Sequence, residues 1–276
     1  MNYRERPQLS KQRGLSIVEL LVALVISMLL MTGVVQVFLS SKQTYASNEA
    51  ASRLQENGRF ALEFIAQSAR HAGYVEAANI TVDPIPRPIA APTDTNCGNL
   101  CNGQGSADDP NASDRAAFSF QPRILEGARR DCLGKTTGIS STDLIINHFY
   151  IAYEGTENAS LACASHNSSQ NAAISVKPEP NGNHNNNILV EGIDALQVQY
   201  GIGSTGNVTR YVSADRVDNW NNVLAIRIAV LANSVEPVRP PAPARQYVLL
   251  DAPPIQIDDG RARQVFTTTI KLRNIF

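Results

Sequence analysis

The sequence contains no G-x-S-x-G elbow, no Walker phosphate loop and no H-E-x-x-H pair. The usual nucleophile-elbow, phosphate-loop and zinc-hydrolase frameworks are therefore not written into it. Its Ser, His and Asp residues are scattered without a spacing that suggests a triad, so no catalytic chemistry is read from it and the chain is not expected to be an enzyme. Charge of one sign is also lacking. The formal net charge is -1 over 276 residues, which gives no basic field for nucleic acid. Cysteine is scarce, at four residues. The CGNLC segment holding Cys97 and Cys101 has no matching second pair, and His148, His166 and His184 lie in unrelated stretches. A zinc site is not expected. The D-x-D-x-D-G ladder of a calcium loop is absent, so Asp108, Asp109 and Asp114 read as a solvated acidic turn. The single tryptophan, Trp220 in VDNWNNV, reads as core packing beside a strand rather than as a carbohydrate platform. Asn-x-Ser/Thr triplets at Asn79, Asn158 and Asn207 read as coincidence in an Asn-rich chain. No metal or cofactor is implied.

What is present is positional. Residues 1–14 carry Arg4, Arg6, Lys11 and Arg13 against one acid, Glu5. From Leu15 the chain reads LSIVELLVALVISMLLMTGVVQVFL. As a helix rising about 1.5 Å per residue, that run can cross a hydrocarbon layer of roughly 30 Å. The basic flank should stay in the cytoplasm, which sends the bulk of the chain across the membrane. No small-x-small cleavage site follows the apolar run, unlike an ordinary secretory signal. Glu19 lies inside the run, fifth from Leu15. A carboxylate in hydrocarbon costs several kcal/mol unless paired or protonated, so an intramembrane Glu is a functional residue by default. Cleavage after Gly14 would create an α-amino group on Leu15 one helical turn away. That amine can pair with Glu19 of the same chain or of a neighbour, which fixes one axial register between packed helices.

The helix is expected to continue over 15–72. No proline occurs from Ser40 to His71, and Ala50, Leu54, Ala61, Ile65, Ser68 and Ala72 share one face. Glu49 and Arg53 make a favourable i,i+4 pair, and Gly73 is a stop signal. Gly33 and Gly58 are the helix's weak points, each costing about 1 kcal/mol against Ala. Residues 83–115, dense in Pro, Gly, Asn and Asp, predict a long irregular insertion. Beyond it, β-branched or alternating runs at 143–153, 188–200, 223–232, 247–257 and 265–272 predict half-buried antiparallel strands. The fold class is α+β: a long N-terminal helix whose second half packs on an antiparallel β-sheet with a loop insertion. The expected segments are a leader over 1–14, a membrane half of the helix over 15–39, a head-packed half over 40–73 and a β-rich head over 74–276. Four cysteines in an exported head suit disulfides, and three connectivities are open.

The run KQRGLSIVELLVALVIS resembles the leader and N-terminal helix of type IV prepilins: a basic leader ending in Gly, an apolar first mature residue and Glu at the fifth position. The helix end RFALEFIAQSARHAGY, the DCLG and LAC segments around Cys132 and Cys163, ILVEGIDALQVQYGIG, and FTTTIKLRN resemble the PilW group of minor pilins. The resemblance implies cleavage between Gly14 and Leu15 by prepilin peptidase, N-methylation of Leu15 and recruitment of the next subunit by Glu19. It also implies a Cys132–Cys163 disulfide, leaving Cys97 and Cys101 to close a small loop. The function it implies is that of a minor pilin. Such a subunit waits in the bacterial inner membrane, N-terminus in the cytoplasm, then primes a type IV pilus and sits at or near its tip. Its implied partners are other minor pilins, a tip adhesin and the major pilin, and the activity supported is twitching motility. A pseudopilin of a type II secretion system, built on the same anchor chemistry, is the alternative.

Overall fold

The computed structural model describes residues 14, 16–76, 89, 102–103, 105, 112–125, 127–136, 138, 143–167, 172–175, 187–204, 206–238 and 241–274. Residues 1–13 of the leader, Leu15, Cys97, Cys101, Asp108, Asp109, Asn79 and His184 lie outside them. The chain divides into two compact units, Met1–Ala46 and Ser47–Phe276.

Helix α1 spans Ile17–His71. Ser16 caps its start: the Ser16 Oγ accepts from the Val18 N–H at 3.3 Å and the Ser16 carbonyl from the Leu20 N–H at 3.1 Å. Within the first unit the helix is exposed throughout, and its mainly apolar run over 17–39 is long and apolar enough to cross a membrane. The two hydroxyls of the apolar run are satisfied internally. Ser27 donates to the Ala23 carbonyl at 2.7 Å and Thr32 to the Met28 carbonyl at 2.8 Å. A helix with its polar groups closed in this way suits a medium that cannot hydrogen-bond them.

In the second unit α1 changes character because one face becomes a packing surface. Leu54, Ala61, Ile65, Ser68 and Ala72 are buried, as the spacing predicts, and Ala66 and Ala69 join them. Gly58 is buried too, and the reason is steric rather than conformational. A Cβ at Gly58 would lie 2.3 Å from the Phe266 ring, so the glycine lets a strand's aromatic side chain approach the helix backbone. The helix stops at Gly73, whose φ of +76° suits glycine. Asn274 Nδ2 closes the Ala72 carbonyl at 3.0 Å.

The strands are β1 (Ala116–Phe120), β2 (Ile124–Leu125), β3 (Ala128–Arg129), β4 (Ile145–Ala152), β5 (Ser160–Asn167), β6 (Ala172–Ser175), β7 (Ile188–Glu191), β8 (Ile193–Ser204), β9 (Asn207–Val212), β10 (Val223–Asn233), β11 (Arg245–Tyr247), β12 (Ile255–Ile257) and β13 (Arg263–Lys271). They form two principal antiparallel sheets where the sequence suggests one. The first has the order β1–β4–β5–β6, with β7 also on β5, and the second the order β13–β10–β8–β9. The expected strand over 188–200 is split between them at Gly192. This residue has φ +70°, its carbonyl accepts from the Asn233 N–H at 2.8 Å, and a Cβ there would meet Val235 at 2.9 Å. Only glycine fits, and the chain changes sheets at that point. The expected strand over 247–257 is likewise broken into β11 and β12. Pro253 and Pro254 stand between them and cannot donate to a ladder.

One core joins the helix face to both sheets, including Leu54, Ile65, Phe118, Phe149, Leu196 and Ile226. Burial of each such side chain contributes about 1.5–3 kcal/mol. Strand β10 departs from the half-buried expectation. Its second face, Ala229 and Leu231, packs with Leu249 and Ile255 in a separate cluster. The β11–β12 hairpin covers a face that alternation alone assigns to solvent.

Candidate assembly site

In the first unit, Glu19 stands in the first turn of α1, exposed, with Gly14 and Ser16 exposed before it. The turn's free N–H groups give it partial positive charge, which favours a carboxylate there. Apolar side chains that are themselves exposed surround it on the helix. Leu15, whose amine is expected to pair with Glu19, lies outside the described residues.

Among the described residues of the second unit are three polar fastenings. Asp114 is the first, and it departs from its reading as part of a solvated turn. It is 3% exposed and accepts from the Gly105 N–H and the Val198 N–H, both at 2.8 Å. Its own N–H donates to the Leu196 carbonyl at 2.8 Å, so it staples the insertion to the edge of β8. Beside it, Tyr200 donates to Asn102 Oδ1 at 2.8 Å and packs edge-on against Trp220, centroids 4.8 Å apart. Trp220 thus serves the core, as expected.

Burial pushes the Asp114 carboxyl up to about 6, against the two backbone hydrogen bonds that favour its ionised form. A carboxyl raised on folding makes the native state hold its proton longer than the unfolded chain. Its contribution to stability therefore falls as pH rises from about 4 to about 6, by up to about 3 kcal/mol. Asp114→Asn should remove that slope. The check is chemical denaturation across this window, read as wild type minus variant; parallel curves would refute the assignment.

The second constellation is an ion-pair network. Arg263 Nε donates to Asp194 Oδ2 at 2.8 Å, while its Nη1 and Nη2 bind Asp259 Oδ1 and Oδ2 at 2.6 and 2.7 Å. Asn233 Nδ2 completes Asp194 at 2.7 Å. Burial pushes the Asp194 carboxyl up despite Arg263, whereas the Arg263 hydrogen bonds hold the more exposed Asp259 down at about 2. Sequence reading missed this group. Only Asp259 and Arg263 share an i,i+4 spacing, and Asp194 comes from β8, 69 residues away.

The third is covalent: Cys132 and Cys163 are joined. The bond ties the turn after β3 to β5, where Cys163 is fully buried. Asp131 Oδ1 holds that turn by accepting from the Leu133 and Lys135 N–H groups at 2.9 and 2.8 Å.

No constellation places a nucleophile beside a base in a cleft. The described head is built of packed strands and internal polar fastenings. Residues 148–274 match the family described as Type IV Pilus-assembly protein W, and residues 9–35 match the Prokaryotic N-terminal methylation motif. The chain thus carries a PilW-type domain behind an N-terminal methylation motif. The PilW match runs from β4 to Asn274 and so contains the second sheet, the Arg263 network and Cys163. The methylation motif contains Gly14, Leu15 and Glu19. With the exposed apolar helix, it fits membrane anchoring followed by entry into a pilus. Among solved structures, a type IV-like pilin from Thermus thermophilus is similar at 18% identity and a TM-score of 0.44, over 81% of this chain and 99% of that one. No curated protein matches the chain.

Proposed function

We propose that this PilW-like chain is a minor pilin that primes assembly of a type IV pilus and sits at or near its tip with other minor pilins. The observation carrying the reading is the junction of a methylation motif with a PilW domain on one chain, with Glu19 in the first turn of an exposed apolar helix. Prepilin peptidase would cut between Gly14 and Leu15, and Leu15 would be N-methylated. The segment 15–39 then holds the subunit in the inner membrane, with the head on the far side. Glu19 pairs with the Leu15 amine of a sister subunit, neutralising two charges in hydrocarbon and setting the axial register. The β-rich head contacts other minor pilins, and retraction of the completed fibre supports twitching.

The test combines deletion with N-terminal mass spectrometry. Deletion should remove surface pili and twitching, while the protein from membranes and from sheared filaments should begin at N-methylated Leu15. Glu19→Ala should leave membrane insertion intact and reduce the amount in filaments. Unchanged piliation after deletion, or an intact leader with no filament incorporation, would overturn the reading. Secreted enzymes trapped in the periplasm, with pili intact, would assign the chain to a secretion pseudopilus instead.

A further inference from the structure

Edges of β-sheets present N–H and C=O groups that are either covered or open to a further strand. This head covers several of its edges. Beside β1, Asn102 exchanges two 2.9 Å hydrogen bonds with the Ala117 backbone, and Ile89 bridges to Phe118. Beside the first half of β8, Ser113 and Asp114 accept the Leu196 and Val198 N–H groups. The β8–β9 ladder is interrupted by a register shift between Ile202 and Gly203. Strand β13 is different. Among the described residues it pairs with β10 alone, over nine residues without proline or glycine.

The phase of that ladder can be read directly. The Leu272 N–H donates to the Leu224 carbonyl at 2.9 Å, and the Ala262 carbonyl accepts from the Ser234 N–H at 3.0 Å. Even-numbered residues therefore turn their backbone groups toward β10. Alternation turns the N–H and C=O of Val265, Thr267 and Thr269 outward. Thr267 and Thr269 are exposed, and their β-branched side chains favour an extended neighbour.

Charge selects the neighbour. From Arg261 to Arg273 there are four basic residues and no acid. Arg261 and Arg263 are occupied by acids from elsewhere in the head, whereas Lys271 and Arg273 are exposed and in no ion pair among the described residues. A second copy pairing antiparallel about Thr267 would set Lys271 opposite Arg263 and Arg273 opposite Arg261. Like charges directly opposite disfavour that pairing.

We propose that β13 is a docking edge for an extended strand from a different filament subunit, one carrying acidic side chains against Lys271 and Arg273. The outward groups of Val265, Thr267 and Thr269 supply the main-chain hydrogen bonds, and the basic end supplies register and selectivity. This inference rests on the pilin reading above and adds the means by which the head is held.

The test uses the full-length chain. Isolated in detergent micelles, the amides of 265, 267 and 269 should exchange much faster than those of 266, 268 and 270. Equal protection would mean that the edge is already covered, and would overturn the proposal. In cells, Thr267→Pro removes one outward N–H, and Lys271→Glu with Arg273→Glu reverses the basic end without touching a backbone group. Each variant should match wild type in solubilised membranes and fall about tenfold or more in sheared filaments. If the proline variant is lost from membranes as well, the charge reversal decides. Wild-type amounts of the charge-reversed chain in filaments would overturn the docking edge and leave the pilin reading standing. Absence of the wild-type chain from filaments would overturn both. A wild-type dimer in micelles that Thr267→Pro disperses would overturn the choice of partner.

Discussion

Replacing Arg263 with methionine is expected to lower the unfolding free energy of the head by about 3–5 kcal/mol near neutral pH. The side chains of Arg263 and Asp194 are 3% and 8% exposed, and Arg263 is the cation that Asp194 meets at 2.8 Å. Removing it leaves a buried carboxylate with only Asn233 to satisfy it. Asp194 is already pushed up by burial, and without Arg263 its pKa would rise further. A carboxyl raised on folding stabilises less as pH rises, so the defect should shrink in acid and deepen toward neutrality. Asp259 works in the opposite sense. Held at about 2 by Arg263, it contributes stability that is present above the ordinary carboxylate range and lost as pH falls toward 2. That acid dependence should shrink in the variant to the part that Arg261 supplies. Pairing the change with Asp194→Leu should recover much of the loss, because the cost lies in the stranded charge. Denaturant titration of full-length protein in micelles reads all of these. A single-variant loss below about 1 kcal/mol would mean that the network behaves as an ordinary surface ion pair.

Replacing both Cys132 and Cys163 with alanine should cost about 3–4 kcal/mol. The bridge closes a loop with a sequence separation of 31, and the chain-entropy relation gives that magnitude. The effect is local in origin: freed from β5, the turn that Asp131 holds gains conformations in the unfolded and partly opened states. Oxidised wild type, reduced wild type and the double variant should therefore separate in their denaturation midpoints, the last two close together. Coincidence of all three would show that the bond adds nothing to the packing of Cys163 in the core.

The two fastenings serve one requirement. On the reading proposed above, a head that is exported before it bears load in a filament gains from closures that do not depend on its partners. The PilW match spans 148–274, so it contains Arg263, Asp194, Asp259 and Cys163 but not Cys132. The disulfide fastens the turn carrying Cys132 covalently to that region.

The sequence by itself determined the features whose cause is local. The basic leader, Gly14, the apolar run and Glu19 are contiguous, so their charge, hydropathy and spacing are legible without a fold. The helix face Leu54–Ala61–Ile65–Ser68–Ala72 follows from a period of 3.6, and β8 and β10 follow from a period of two. The tertiary structure decided whatever needed residues far apart in the chain. Gly58 reads as a weak point until Phe266 is seen above it. Gly192 reads as a strand interior until Asn233 and Val235 crowd it and send the chain from one sheet to the other. Asp114 reads as a solvated turn until β8 supplies the Val198 N–H that requires a buried acceptor. Periodicity reports which side of an element is apolar. It cannot report what covers that side, because burial and hydrogen-bond partners are properties of two segments at once.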